Sequence, residues 1–284
     1  MKNRMKAIAL DMDGTILDHS GKFPESLVKT LEELKSRGFL IFFATGRTPH
    51  EIESITPAGC PLDGYVAASG MGIYIDGRLV ESTSFEPDFI ARMVEEARSK
   101  EIYYEIHTLE HSSRTLLQDQ AYVFQDIGQE QPGTMMDAEY SYAKETLRST
   151  TQWVSNLSFE HVVKMFFFST NMKKIRDWYD YLENHKDNAV YALYTTSRHN
   201  AEIMLGGRDK ATGMEVLLDH YNIDFADVHA IGDSMNDLPL FEKAGRSTAM
   251  KNASDAIKEK AHDVTASTCD ENGLERYLRM AYLK

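Results

Sequence analysis

Lys6-Ala7-Ile8-Ala9-Leu10-Asp11-Met12-Asp13-Gly14-Thr15 begins as a short apolar run and leads into two carboxylates with a single residue between them. An apolar run without polar alternation is the pattern of a strand covered on both faces, as in parallel sheets. Ligands of such sheets bind beyond the carboxyl ends of the strands, and Asp11 and Asp13 fall there. An Asp-x-Asp pair is also common in plain turns. Two carboxylates this close repel unless a proton or a cation lies between them, which suits Mg2+.

The alternation of strand and helix continues outward from this stretch. Residues 24–37 set Leu27, Leu31 and Leu34 on one helical face and stop at Gly38, a good C-terminal residue. Residues 39–44 form a second fully apolar strand ending at Thr45-Gly46-Arg47. A third, at 65–68, leads into Ser69-Gly70-Met71, and 73–80 reads as a hairpin turned at Asp76-Gly77. From about residue 84 the order becomes mixed: a helix at 87–100, strands near 102–107 and 121–125, and a buried strand over 162–168. After Gly206-Gly207 the alternation returns, with a helix at 210–221, a strand at 228–231, a helix at 237–243 and a last helix at 274–283. The expectation is an α/β fold, with a Rossmann-like parallel-sheet core from 1–83 and 207–284 and an inserted α/β domain at 84–206.

Composition bounds the function. The apolar fraction of 42% and charged fraction of 26% are ordinary for a globular chain. A net charge of -13 disfavours nucleic acid as a partner, because backbone phosphates are held by clustered Lys and Arg. It also repels anionic substrates at long range, so a phosphate site must carry its own positive charge. No run of about 18 apolar residues is present, which argues against a membrane span. The basic start at 1–6 passes directly into a strand with none of the features of a signal peptide, so a cytoplasmic location is expected. Cys60 and Cys269 lack CxxC spacing, which argues against a disulfide framework or a structural zinc site.

Three further segments carry chemistry. Gly232-Asp233-Ser234-Met235-Asn236-Asp237 follows the 228–231 strand as Asp11 follows its own. One such residue would serve as a helix cap, but three carboxylate or amide side chains in five positions fit the other half of a hard-cation site. Thr45 and Gly46 end a third strand, where a hydroxyl and exposed amides can hold a phosphate oxygen, although a plain strand-to-helix turn looks the same. Lys210 opens a helix after Arg208-Asp209; an ordinary lysine there is a solvated one, yet the acidic site needs a cation beyond the metal. His107-x-x-x-His111 has helical zinc spacing without a third ligand and is read as an exposed pair.

These four segments, in this order, resemble the haloacid dehalogenase-like phosphatases, and the 84–206 insertion looks like the α/β cap of their Cof-type subfamily. The resemblance implies Asp11 as nucleophile and metal ligand, and Asp13 as general acid/base that also offers its backbone carbonyl to the metal. It implies that Thr45, Gly46, Lys210 and Asn236 hold phosphate with help from the Met12 amide. Asp233 would be the remaining metal ligand, and Asp237 would orient the groups around it. Ser69-Gly70-Met71 stands where many members have Asn-Gly-Ala. The function implied is a Mg2+-dependent phosphatase for small phosphorylated metabolites such as sugar phosphates, working through an aspartyl-phosphate, with a cap that closes over the substrate. Lys164, Arg198, His199 and Asn200 are its polar candidates for substrate choice. A phosphomutase using the same nucleophile and a receiver-like phosphate-accepting module are the alternatives; the oligomeric state is left open.

Overall fold

The computed structural model describes residues 5–111, 113–128, 130–187, 190–195 and 197–283, so residues 1–4 of the basic start at 1–6 lie outside the described residues. The chain divides into two compact units, Met1–Ser82 with Arg208–Lys284, and Thr83–Gly207.

The discontinuous unit is built on an eight-stranded sheet. From edge to edge its strands are Asp263–Val264, Arg246–Ala249, Val228–Gly232, Ala7–Leu10, Leu40–Ala44, Gly64–Ala67, Gly72–Ile75 and Arg78–Ser82. The first six pair in parallel, and the last two fold back antiparallel. Ala7–Leu10 comes first in the chain; the early strands add on one side of it and the late strands on the other. The order therefore reverses between Ala7–Leu10 and Val228–Gly232, and such a reversal opens a crevice at the carboxyl ends of the two strands.

Side-chain alternation along Ala7–Leu10 feeds two cores. Ile8 and Leu10 join Leu27, Leu31 and Leu34 of the helix Glu25–Ser36, while Ala7 and Ala9 join Met214, Leu217 and Leu218 of the helix Lys210–Tyr221. Small side chains on the second face let that helix come close. A Cβ at Gly213 would lie 2.5 Å from Val66, so a larger residue there would push the helix, and Lys210 with it, off the sheet. The hairpin turns as the sequence suggests. Asp76 and Gly77 take φ of 48° and 71°, the left-handed pair that a two-residue turn demands.

The inserted unit carries a six-stranded sheet in the order Tyr191–Tyr194, Asn200–Leu205, Val162–Phe168, Tyr103–Thr108, Arg114–Leu116 and Gln152–Val154. The helices Pro87–Ser99 and Met172–Asn184 send Ile90, Val94, Ile175 and Trp178 into one core with Tyr104, Ile106, Met165 and Phe167 of the sheet. One sequence expectation fails. Residues 121–125 belong to the helix Gln120–Ile127, not a strand, because Val123 and Ile127, four apart, are the positions that bury. His107 stands on a strand, so its helical zinc spacing to His111 does not apply. No helix among the described residues is long and apolar enough to cross a membrane.

His229, on Val228–Gly232, sits in a buried polar network with Tyr282 Oη and Thr248 Oγ1, each 2.7 Å from its ring. Tyr277, Arg246 and Asp263 bond behind it. Burial, then the charge of Arg246, pushes the imidazole from 6.5 down to about 3. Between those values the unfolded chain holds a proton that the folded chain refuses. Stability therefore falls with falling pH, by up to about 1.4 kcal/mol per unit from this residue. Urea unfolding of wild type and His229→Gln between about pH 7 and pH 5 should give a stability difference that shrinks by about 1–2 kcal/mol as pH falls. A difference independent of pH would contradict this account.

Candidate active site

Asp11 and Asp233 lie just past the two strands that flank the reversal. The Asp11 amide still donates to the Ile231 carbonyl at 2.9 Å, so the sheet ladder fixes the backbone of the first carboxylate against the strand that delivers the second. Gly14 then turns the chain with φ of 73°, and a Cβ on it would fall 2.4 Å from Asp233 Oδ2. Only glycine meets both demands. Thr15 Oγ1 donates to Asp233 Oδ1 at 3.3 Å, and Asn252 Nδ2 donates to the Gly14 carbonyl at 2.8 Å.

Lys210 enters from the opposite side as the first residue of its helix. Asp209 caps that helix, its carboxylate accepting the Thr212 amide at 2.8 Å, while Arg208 pairs with Glu81. The extra charge before Lys210 is therefore spent on local structure. Ala68 and Ser69 have φ of 47° and 52°, and Gly70 has 102°; a Cβ on Gly70 would lie 2.3 Å from the Asp209 carbonyl. This left-handed turn, which contains the Ser69-Gly70 pair, makes room for the start of the lysine's helix.

The Lys210 side chain is wholly buried, and its ammonium donates to Asp11 Oδ1 at 2.5 Å and to Asp237 Oδ1 at 2.7 Å. The other Asp237 oxygen accepts the amides of Asp233 and Ser234, both at 3.0 Å. Asp237 thus ties the lysine to the loop that carries Asp233. Carboxylate oxygens of Asp11, Asp233 and Asp237 all lie within 4.8 Å of one another. Three carboxylates against one ammonium leave two negative charges uncompensated. The electrostatics reflect the deficit. Burial pushes the Asp11 carboxyl well above its ordinary range; Lys210 pulls it back, while Asp237 and Asp233 add to the rise. Burial and Asp237 lift Asp233 to about 6. Burial alone would lower the Lys210 ammonium, but Asp11 and Asp237 hold it above its ordinary value.

The remaining sequence candidates stand around this cluster without bonding to it. Asp13 turns its carboxylate to Arg47, which grips it with Nε at 3.1 and 2.9 Å and Nη2 at 2.6 Å. Thr45 is buried, and its Oγ1 accepts the Arg47 amide at 3.1 Å. Asn236 Oδ1 accepts from Ser234 Oγ at 2.7 Å. The Met12 and Gly46 amides donate to no group among the described residues. Sequence reasoning gave Arg47, Thr15 and Asn252 no role. Arg47 adjoins Thr45 and Gly46, and that adjacency was its one signal.

In the inserted unit, His199 is buried with its ring between the Ser169 carbonyl at 3.0 Å and Thr134 Oγ1 at 2.9 Å, so it is a strut. Lys164 pairs with Glu202 at 3.9 Å. Arg198 and Asn200 line a cavity of about 450 Å³ together with Ile175, Arg176 and Tyr179.

A family model described as haloacid dehalogenase-like hydrolase matches residues 8–278. The 5-amino-6-(5-phospho-D-ribitylamino)uracil phosphatase YwtE of Bacillus subtilis is 28% identical over 284 residues, covering 96% of this chain and 97% of that protein. Among solved structures, a haloacid dehalogenase-like hydrolase from B. subtilis superposes with a TM-score of 0.75 at 24% identity, covering 98% of this chain and 100% of that one. The subclass IIB sugar phosphatase BT4131 does so with a TM-score of 0.69 at 20% identity, covering 97% and 98%. The chain belongs to the haloacid dehalogenase-like hydrolases.

Removing the lysine tests how the cluster is held together. Lys210→Met leaves Asp11 and Asp237 buried without their counter-charge, so urea unfolding with metal chelated should show a loss of about 3–5 kcal/mol. A loss below about 1 kcal/mol, the value of a surface pair, would contradict the buried triad.

Proposed function

We propose that the chain is a divalent-cation-dependent phosphatase that hydrolyses small phosphomonoesters through a phosphoryl group carried on Asp11. The observation that supports this best is the pairing of Asp11 with a buried lysine inside a carboxylate cluster that is two positive charges short. Members of this superfamily generally use a divalent metal ion. The donor set fits one: the oxygens are hard, close together and under-neutralised, and Asp11 and Asp233, with the Asp13 carbonyl, would hold it. Bound Mg2+ would supply the charge that lets a phosphate dianion approach a carboxylate.

The chain's own groups then divide the work. Lys210 fixes Asp11 by Oδ1 and offsets part of its charge, so the second oxygen is the one presented to phosphorus. As that oxygen bonds to phosphorus, the ester oxygen departs and takes a proton from Asp13. Water then gives a proton to Asp13 and attacks phosphorus, releasing inorganic phosphate and restoring the Asp11 carboxylate. Asp13 must leave Arg47 to do this, so Arg47 would hold the acid/base away from the centre between turnovers. The free Met12 and Gly46 amides, with Thr45 and Asn236, are suited to the phosphoryl oxygens. None of these groups reads more than phosphate and metal, so we assign the choice of ester to the inserted unit. The YwtE name points to phosphorylated ribityl compounds, and the BT4131 name to sugar phosphates, as the first substrates to try.

A panel of such esters, assayed for phosphate release with Mg2+, should contain at least one substrate. Asp11→Asn should lower turnover of it by more than about 1,000-fold, because the change removes the carboxylate that would carry the phosphoryl group. Retained turnover in Asp11→Asn would overturn the mechanism.

A further inference from the structure

His19, Cys269 and Asp270 converge at the surface of the discontinuous unit. Their ligand atoms lie within 4.8 Å of one another, although His19 and Cys269 are 250 residues apart in the chain. His19 follows the loop that carries Asp11, while Cys269 and Asp270 open the turn Cys269–Glu271. His19 Nδ1 is 3.6 Å from Cys269 Sγ and 2.7 Å from Asp270 Oδ2, and Sγ is 4.0 Å from Asp270 Oδ1. We propose that these three side chains form a second metal site, selective for a borderline-soft divalent cation of the zinc type and separate from the oxygen cluster around Asp11.

Geometry and ligand chemistry carry the inference. Bonds of about 2.0–2.3 Å at tetrahedral angles set the ligand atoms about 3.4–3.6 Å apart. The imidazole–thiol distance already meets that spacing, and the imidazole–carboxylate contact needs to open by only about 0.7 Å. Cys269 is the buried anchor, its amide held by Asn252 Oδ1 at 3.0 Å. The His19 and Asp270 side chains are 67% and 52% exposed and tied to each other, Asp270 Oδ1 accepting the His19 amide at 2.9 Å, so a cation enters by opening one solvated ion pair. Thiolate and imidazole prefer zinc-type ions, while the all-carboxylate cluster prefers Mg2+, so the two centres sort metals by donor type. Three protein ligands leave the fourth position to water. Asn252 also binds the Gly14 carbonyl, so occupancy of this site would bear on the loop that carries Asp11.

Co2+ reports the site directly, because only a thiolate ligand gives it an intense sulfur-to-metal charge-transfer absorption. The full-length protein is titrated with Co2+ under excess Mg2+, which occupies the carboxylate cluster. The wild type and Cys60→Ser should develop the near-ultraviolet charge-transfer band, and Zn2+ should bleach it. Cys269→Ser should lose the band. His19→Ala, an exposed change that spares the core, should need at least about tenfold more Co2+ to reach half its amplitude. No band in the wild type, a band that survives in Cys269→Ser, or an unchanged titration in His19→Ala would each overturn the proposal.

Discussion

The strand ends that carry Asp11 and Asp233 are arranged around one ammonium group. Lys210 is fully buried, and a lysine without a counter-charge in that position would give up its proton. Asp11 and Asp237 keep it charged, and it keeps them tolerable in turn. The surrounding backbone follows from getting that side chain into place. Gly213 lets its helix lie against the sheet, the left-handed turn through Gly70 clears the helix start, and Asp209 caps it. On the other side, Gly14 gives way to Asp233, and Gly232 gives way to Asp237, whose carboxylate would sit 2.3 Å from a Cβ there. The lysine does not balance the cluster. It leaves it short of charge, and that shortfall is what a divalent cation would meet.

The reversal of strand order explains why these groups meet at all. Asp11 and Asp233 are 222 positions apart by number, yet their strands are neighbours, hydrogen-bonded in register from Ala7 with Val228 to Leu10 with Ile231. A whole unit is inserted between them without disturbing that pairing. The sheet therefore fixes the Asp11 and Asp233 loops, while the inserted unit carries its own polar residues, such as Arg198 and Asn200 at its cavity.

The parallel core and its carboxylates were readable because burial on both faces leaves an unbroken apolar run, and the polar residues at its end then stand out. Asp11 and Asp233 show that signature, as does Thr45. Short amphipathic segments were less readable: 121–125 is apolar enough for a strand, and only the partners of Val123 and Ile127 make it a helix. Tertiary pairings left no local trace. The grip of Arg47 on Asp13 crosses 34 positions, and the approach of His19 to Cys269 crosses 250.

The central claim is that the Asp11, Asp233 and Lys210 centre is built one divalent cation short of balance. Thermal unfolding as a function of Mg2+ tests it most directly. The wild type should gain stability as Mg2+ rises, by about 2.7 kcal/mol at a hundred times the dissociation constant, and Asp233→Asn should lose most of that gain. An unfolding temperature indifferent to Mg2+ in the wild type, or an equal gain in Asp233→Asn, would contradict it.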